Sequence, residues 1–135
     1  MKKFELTSEF VTFLGKKLFR IKALISFGNV KEGELGGFVE KEENLDQSGN
    51  AWVSGDARVY GNADYATVQG FGSEYRTTTF FRTKAGDIGV RCGCFYGTLD
   101  DFRKKVKETH GDSKTAKEYL MVADLMEFRF SEEEV

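Results

Sequence analysis

Phe19, Ile21 and Ala23 alternate with Leu18, Arg20 and Lys22, and a period of two predicts a strand with one buried face. Upstream, Phe10-Val11-Thr12-Phe13 is a second short run of residues that suit a pleated surface. Leu14-Gly15-Lys16-Lys17 joins the two, with Gly15 supplying the turn, so residues 1–30 read as a β-hairpin. Further on, Arg76–Arg82 and Ile88–Phe95 read as a second hairpin around Lys84-Ala85-Gly86-Asp87. The period then lengthens. Thr98 with Asp101 imitates a capping box, and Phe102 and Val106 stand at helical spacing. His110-Gly111-Asp112 breaks that helix, and Asp112 or Ser113 caps a second one. In the second helix Ala116, Leu120, Ala123 and Glu127 form one line; Tyr119, Val122, Met126 and Phe130 form an adjacent one. The acidic tail from Ser131 is expected to fray.

Between the hairpins the period is six. Gly49-Asn50-Ala51-Trp52-Val53-Ser54 is followed by Gly55-Asp56-Ala57-Arg58-Val59-Tyr60 and Gly61-Asn62-Ala63-Asp64-Tyr65-Ala66. Glycine with Asn or Asp suits a corner with positive φ. Ala51, Ala57, Ala63, Val53 and Val59 are expected to point into a narrow prism, which leaves Trp52, Arg58 and Asp64 facing outward. Leu35-Gly36-Gly37-Phe38-Val39 is a weaker match ahead of the run. Three sixes close one coil, and one or two coils do not bury a stable core alone, so flanking segments or another copy of the chain must cap them. The predicted architecture is α+β and β-rich: an N-terminal hairpin over 1–30, a short left-handed hexapeptide β-helix over 31–72, then a hairpin and two helices over 73–135, in one compact unit.

Composition narrows the function classes. A chain of 135 residues, 40% of them hydrophobic, supports one core. A net charge of −2 gives no general pull toward nucleic acid or anionic membrane, and sequence-specific DNA binding is not expected. The basic start (Lys2, Lys3, Lys16, Lys17, Arg20, Lys22) and the acidic stretch from Glu32 to Asp46 read as solvated surface. No signal-peptide core follows the basic start, and no run approaches the length of a membrane span. Cys92 and Cys94, one residue apart, would form a strained bridge and read as free thiols of a reducing cytoplasm.

The candidate chemistry is sparse. Hexapeptide coils occur in acyltransferases that use a histidine base between subunits, but His110, the one histidine here, lies far from the repeat. An acyltransferase-like enzyme is therefore the last alternative, and no catalytic residue is assigned. Cys92 and Cys94 with His110 have neither the spacing nor the ligand number of a zinc site, so neither a metal nor a cofactor is expected. The second hairpin offers more. Arg76, Thr78, Phe80 and Arg82 alternate onto one face, with Arg91 on the returning strand, and cations beside aromatic rings hold phosphate and stack bases. The competing reading is a polar solvated face opposite a buried aromatic one. Trp52, at an outward repeat position, reads as an interface anchor of a homo-oligomer.

Taken together, Lys17–Leu24, Gly33–Glu40 with Glu43-Asn44-Leu45, the Gly-Asn-Ala repeats, Thr77–Arg82, Cys92–Thr98 and Thr109–Ser113 resemble small phage and prophage proteins of Gram-positive bacteria. The resemblance covers nearly the whole chain, which departs from the family in having few repeats. It implies a phage accessory protein in the host cytoplasm. By analogy it implies a non-enzymatic binding protein in counter-defence, with a host immune effector or a nucleotide signal as partner; a structural scaffold is the alternative. If Ala57 points inward, Ala57→Leu overpacks the interior and lowers stability by about 1–3 kcal/mol, measured as a fall in urea midpoint.

Overall fold

The computed structural model describes residues 2–131 apart from 48, 56, 61–63, 72–75, 84, 85, 93 and 94; the side chains of 70, 71 and 76 are also outside it. The first hairpin forms as the alternation predicts, but its first strand is longer. β1 (Phe4–Phe13) and β2 (Lys16–Ala23) are antiparallel, joined through Leu14 and Gly15, both at positive φ. Two consecutive left-handed residues give a turn whose twist matches its strands. β3 (Leu35–Val39) adds antiparallel to β2, and β4 (Arg58–Val59) adds parallel to β3. A second sheet, antiparallel throughout, has the order β5 (Tyr65–Phe71), β6 (Arg76–Arg82), β7 (Ile88–Cys92) and β8 (Phe95–Thr98). A single bridge between Ala57 and Thr83 joins the two sheets.

The second sheet is covered on both faces. On one side Phe81 joins Phe4, Ile21, Val39, Trp52, Val53 and Val59 in a core shared with the first sheet and the repeat. On the other, Phe80 and Val90 pack under α1 (Leu99–His110) and α2 (Lys114–Phe130) with Phe102, Val106, Tyr119, Ala123, Met126 and Phe130. The helices start and stop where their residues dictate. Thr98 Oγ1 accepts from the Asp101 N–H at 3.1 Å, and Asp101 Oδ2 accepts from the Thr98 N–H at 3.2 Å. That backbone bond, with the hydroxyl contact, holds the Asp101 carboxyl below its usual range. Gly111, at φ 60°, closes α1, and Ser113 caps α2 by accepting from the Ala116 N–H.

The repeat departs from expectation on one side. Ala51, Val53, Ala57 and Val59 are buried as predicted, and Gly49 and Gly55 take positive φ at the corners; Ala63 lies outside the described residues. Trp52, Arg58 and Asp64, expected outward, are buried too. The reason is what lies outside them. The backbone N–H of Trp52 donates to Thr79 Oγ1 of the second sheet, and the indole ring meets Phe4 and Phe27 edge-on. Positions that would face solvent in a free-standing coil face protein here. Gly36 shows how tightly: a Cβ there would stand 2.7 Å from the Trp52 ring and 2.8 Å from Ile21. Parallel pairing, the mark of coil stacking, is limited to Phe38 with Arg58 and Val39 with Val59.

β5 was not expected as a separate strand. It begins in the third repeat, and its pairing with β6 carries the second sheet across the 72–73 boundary. The chain also turns back after Cys92, so Phe95 opens β8 and does not extend β7. A membrane-spanning helix, long and apolar enough to cross, is absent among the described residues.

Trp52 Nε1 is buried with no hydrogen-bond partner. An orphaned donor costs about 1–3 kcal/mol. Trp52→Phe is therefore expected to shift stability by no more than about 1 kcal/mol, loss of the orphan offsetting the smaller ring, whereas Trp52→Ala loses about 3–5 kcal/mol. Urea midpoints of the two variants check this; equal losses would rule out the orphan account.

Candidate functional site

The residues proposed to bind a ligand are not gathered on one open face. Thr78 and Phe80 point into the layer beneath the helices: Thr78 Oγ1 donates to Cys92 Sγ at 3.2 Å, and the Phe80 ring meets Phe102 edge-on at 5.9 Å. Arg91 sits opposite Thr79 in the ladder, on the other face of the sheet. Its Nη1 donates to Glu34 Oε2 and to Ser54 Oγ, both at 3.0 Å, and its Nη2 to the Asn29 carbonyl at 3.3 Å. Arg91 is thus a strut between the second sheet and the loops of the first. The side chain of Arg76 lies outside the described residues. The alternation along β6 holds, but at Thr78–Phe81 both of its faces are covered, so no polar face of that strand is left open.

Arg82 is the exception. It ends β6 at the rim of a cleft of about 790 Å³ lined by both sheets and both helices. Its Nε lies 3.3 Å from Asp64 Oδ1, its Nη1 donates to the Phe130 carbonyl at 3.1 Å, and its guanidinium lies 5.1 Å from the Phe130 ring centre. Asp64 Oδ2 also accepts the Tyr60 N–H. Arg58 reaches the cleft from the repeat, stacked on one side of Phe38 at 4.7 Å, with Arg20 at 4.4 Å from the same ring. Arg103 of α1 completes the cations. Its Nη2 donates to Glu127 and Asp124 of α2 at 2.7 and 2.9 Å. Burial works to lower the Arg103 pKa, but the bonds to Glu127 and Asp124 outweigh it and raise it. Asp64, Asp87, Asp100 and Glu127 share the same walls, together with the rings of Phe13, Tyr60 and Phe130.

No family model, curated protein or solved structure matches this chain. The walls of the cleft carry both signs of charge, with Arg82 paired to Asp64 and Arg103 to Asp100 and Glu127, beside aromatic faces. That arrangement suits reversible binding of a polar molecule carrying both anionic and donor groups. A bare anion would meet carboxylates as well as guanidinium groups.

The remaining candidates fall elsewhere. His110, the last residue of α1, stacks on Tyr119 of α2 and does not line the cleft. Cys92 is a free thiol, Cys94 lies outside the described residues, and no cluster of metal-ligating side chains occurs among the described ones. Trp52, read as an interface anchor, is in the core, so the observation that motivated that role is gone.

Sequence reading also missed a buried cation. Lys3, counted with the basic surface, is 1% exposed. Its Nζ donates to the Ala51 carbonyl at 2.7 Å and lies 4.9 Å from the Phe27 ring centre. Burial lowers its pKa from 10.5 to about 8, against the opposing pull of Asp46. No period marks it, because Lys3 precedes the first strand. The unfolded chain therefore binds the proton more tightly than the folded one, so stability rises with pH between about 8 and 10.5. Lys3→Met removes this dependence. The stability difference between Lys3→Met and wild type is expected to move by about 2 kcal/mol in favour of wild type from pH ~7 to ~9.5. Urea titrations at both pH values read it, and a constant difference would contradict a buried, depressed Lys3.

Proposed function

We propose that this chain is a non-enzymatic binding protein of the phage accessory kind that its sequence resembles, and that it takes a nucleotide-sized polar ligand in the cleft at Arg82. The observation that carries this reading is the cleft itself. Its volume of about 790 Å³ lies within the range of small-molecule sites, and both sheets and both helices converge on it. Three guanidinium groups offer donors to phosphate, four carboxylates accept from ribose or base, and Phe13, Tyr60 and Phe130 supply faces for stacking. Binding without turnover, in the host cytoplasm, fits a counter-defence protein that sequesters a nucleotide signal. On this reading the repeat is one remnant coil of a left-handed β-helix. Support for the coil comes from the parallel β3–β4 pair, the positive-φ corners at Gly49 and Gly55, and the inward Ala and Val residues.

The ligand reading is tested by thermal shift and calorimetry with mononucleotides and cyclic dinucleotides. A ligand at a hundred times its Kd is expected to raise Tm by several degrees. Arg82→Ala is expected to weaken that ligand at least about tenfold, by loss of one charge-assisted hydrogen bond. Arg82→Lys, which keeps the charge without the planar fork, is expected to recover part of the loss. A flat response to every nucleotide, together with an empty protein by native mass spectrometry after purification from infected cells, would overturn the assignment.

A further inference from the structure

Leu14 holds a backbone conformation that its side chain disfavours. Its φ is 52°, the one positive value outside glycine among the described residues. An L-residue in the left-handed region brings Cβ against the following carbonyl oxygen. With Gly15, Leu14 forms the two-residue turn that closes the pair of Phe13 with Lys16. Such turns ordinarily carry Asn, Asp or Gly at their first position. A leucine there costs turn stability, and with the side chain 73% exposed burial does not offset the cost.

An exposed leucine is ordinary on its own, and a strained turn by itself names no ligand. Leu14 combines the two on the wall of the Arg82 cleft, which Phe13 lines as well. Strained backbone concentrates at ligand clamps and active sites, where the surroundings need one side chain in one place. The guanidinium groups and carboxylates of the cleft serve the polar groups of a ligand. Leu14 offers those groups nothing. Its side chain can cover only apolar surface, and in a nucleotide that surface is the face of the base.

We infer that Leu14 is a ligand-contacting residue that covers the base of a nucleotide held in the cleft, and that its turn stays in the left-handed region to present it. The inference rests on the ligand reading of the cleft and narrows it. The molecule taken must carry a planar base, and a sugar phosphate alone makes no use of Leu14.

Leu14→Asn separates the two roles, because Asn suits the same turn. Without ligand the variant is expected to melt about 2–4 °C above wild type, as the strain is relieved. With ligand the sign reverses. Calorimetry with AMP, GMP and their cyclic dinucleotides is expected to show binding weakened about tenfold, the loss of one leucine's apolar contact. Ribose phosphate, which has no base, is expected to behave alike with both forms. Leu14→Met keeps an apolar side chain and should stay within about threefold of wild type. An Asn variant that binds the nucleotides as wild type does makes Leu14 a turn residue only and overturns the inference. So does an Asn variant that melts lower without ligand, or one that loses ribose phosphate equally. A wild type that binds none of the nucleotides overturns the ligand reading itself, and this inference with it.

Discussion

At its centre, Thr78 to Phe81 of β6, the second sheet is covered on both faces, and most other features answer to that. Phe81 must fit a core made by the first sheet and the repeat, while its neighbour Phe80 must fit one made by two helices. Alternation then sends every second residue of β6 into one core or the other. This is why Thr78 and Thr79 are both buried although each carries a hydroxyl, and why each hydroxyl has a partner, Cys92 Sγ for one and the backbone N–H of Trp52 for the other. Cations survive only at the ends of the strands or as struts. Arg82 escapes at the terminus of β6, and Arg91 spans to Glu34, Ser54 and Asn29.

The same constraint explains how a repeat too short for a β-helix is stable. In a long coil the interior is closed by neighbouring rungs. Here Ala51 to Val59 lie between two sheets, so their outward residues are desolvated along with their inward ones. Desolvated polar groups need partners. Asp64 finds Arg82 and the Tyr60 N–H, Arg58 stacks against Phe38, and Lys3 caps the Ala51 carbonyl. Trp52 Nε1 is left over. A buried charge gives back in solvation much of what its pairing supplies, so these contacts add little net stability. The depressed pKa of Lys3 is the visible part of that cost.

The cleft and the outer face of α2 occupy different sides of the helical layer and differ in chemistry. One has charges beside aromatic rings; the other is an exposed apolar line of Met121, Leu125 and Phe128. They also differ in how each is positioned. The cleft depends on contacts between elements far apart in sequence, above all Arg82 with Asp64 and Phe130. The helix face depends on the helix alone.

Local periodicity and turn chemistry determined the elements with local causes. The first hairpin, the Arg76–Arg82 strand, both helices with their caps at Thr98 and Ser113, the Gly111 break, and the inward Ala and Val positions of the repeat all follow from residues within about one turn or one strand pair. Of the candidate site, Arg82 alone was legible, because its place at the end of a strand is a local fact. Tertiary structure decided which faces meet water. Trp52, Arg58 and Asp64 carry no local mark of burial, Lys3 none at all, and the alternation of β6 names two faces without saying that both are covered. β5 was lost inside the repeat for the same reason: its hydrogen-bond partner lies in β6. A side chain's period is fixed by the backbone that carries it, whereas its burial is fixed by whatever packs across from it, and that partner lies elsewhere in the chain.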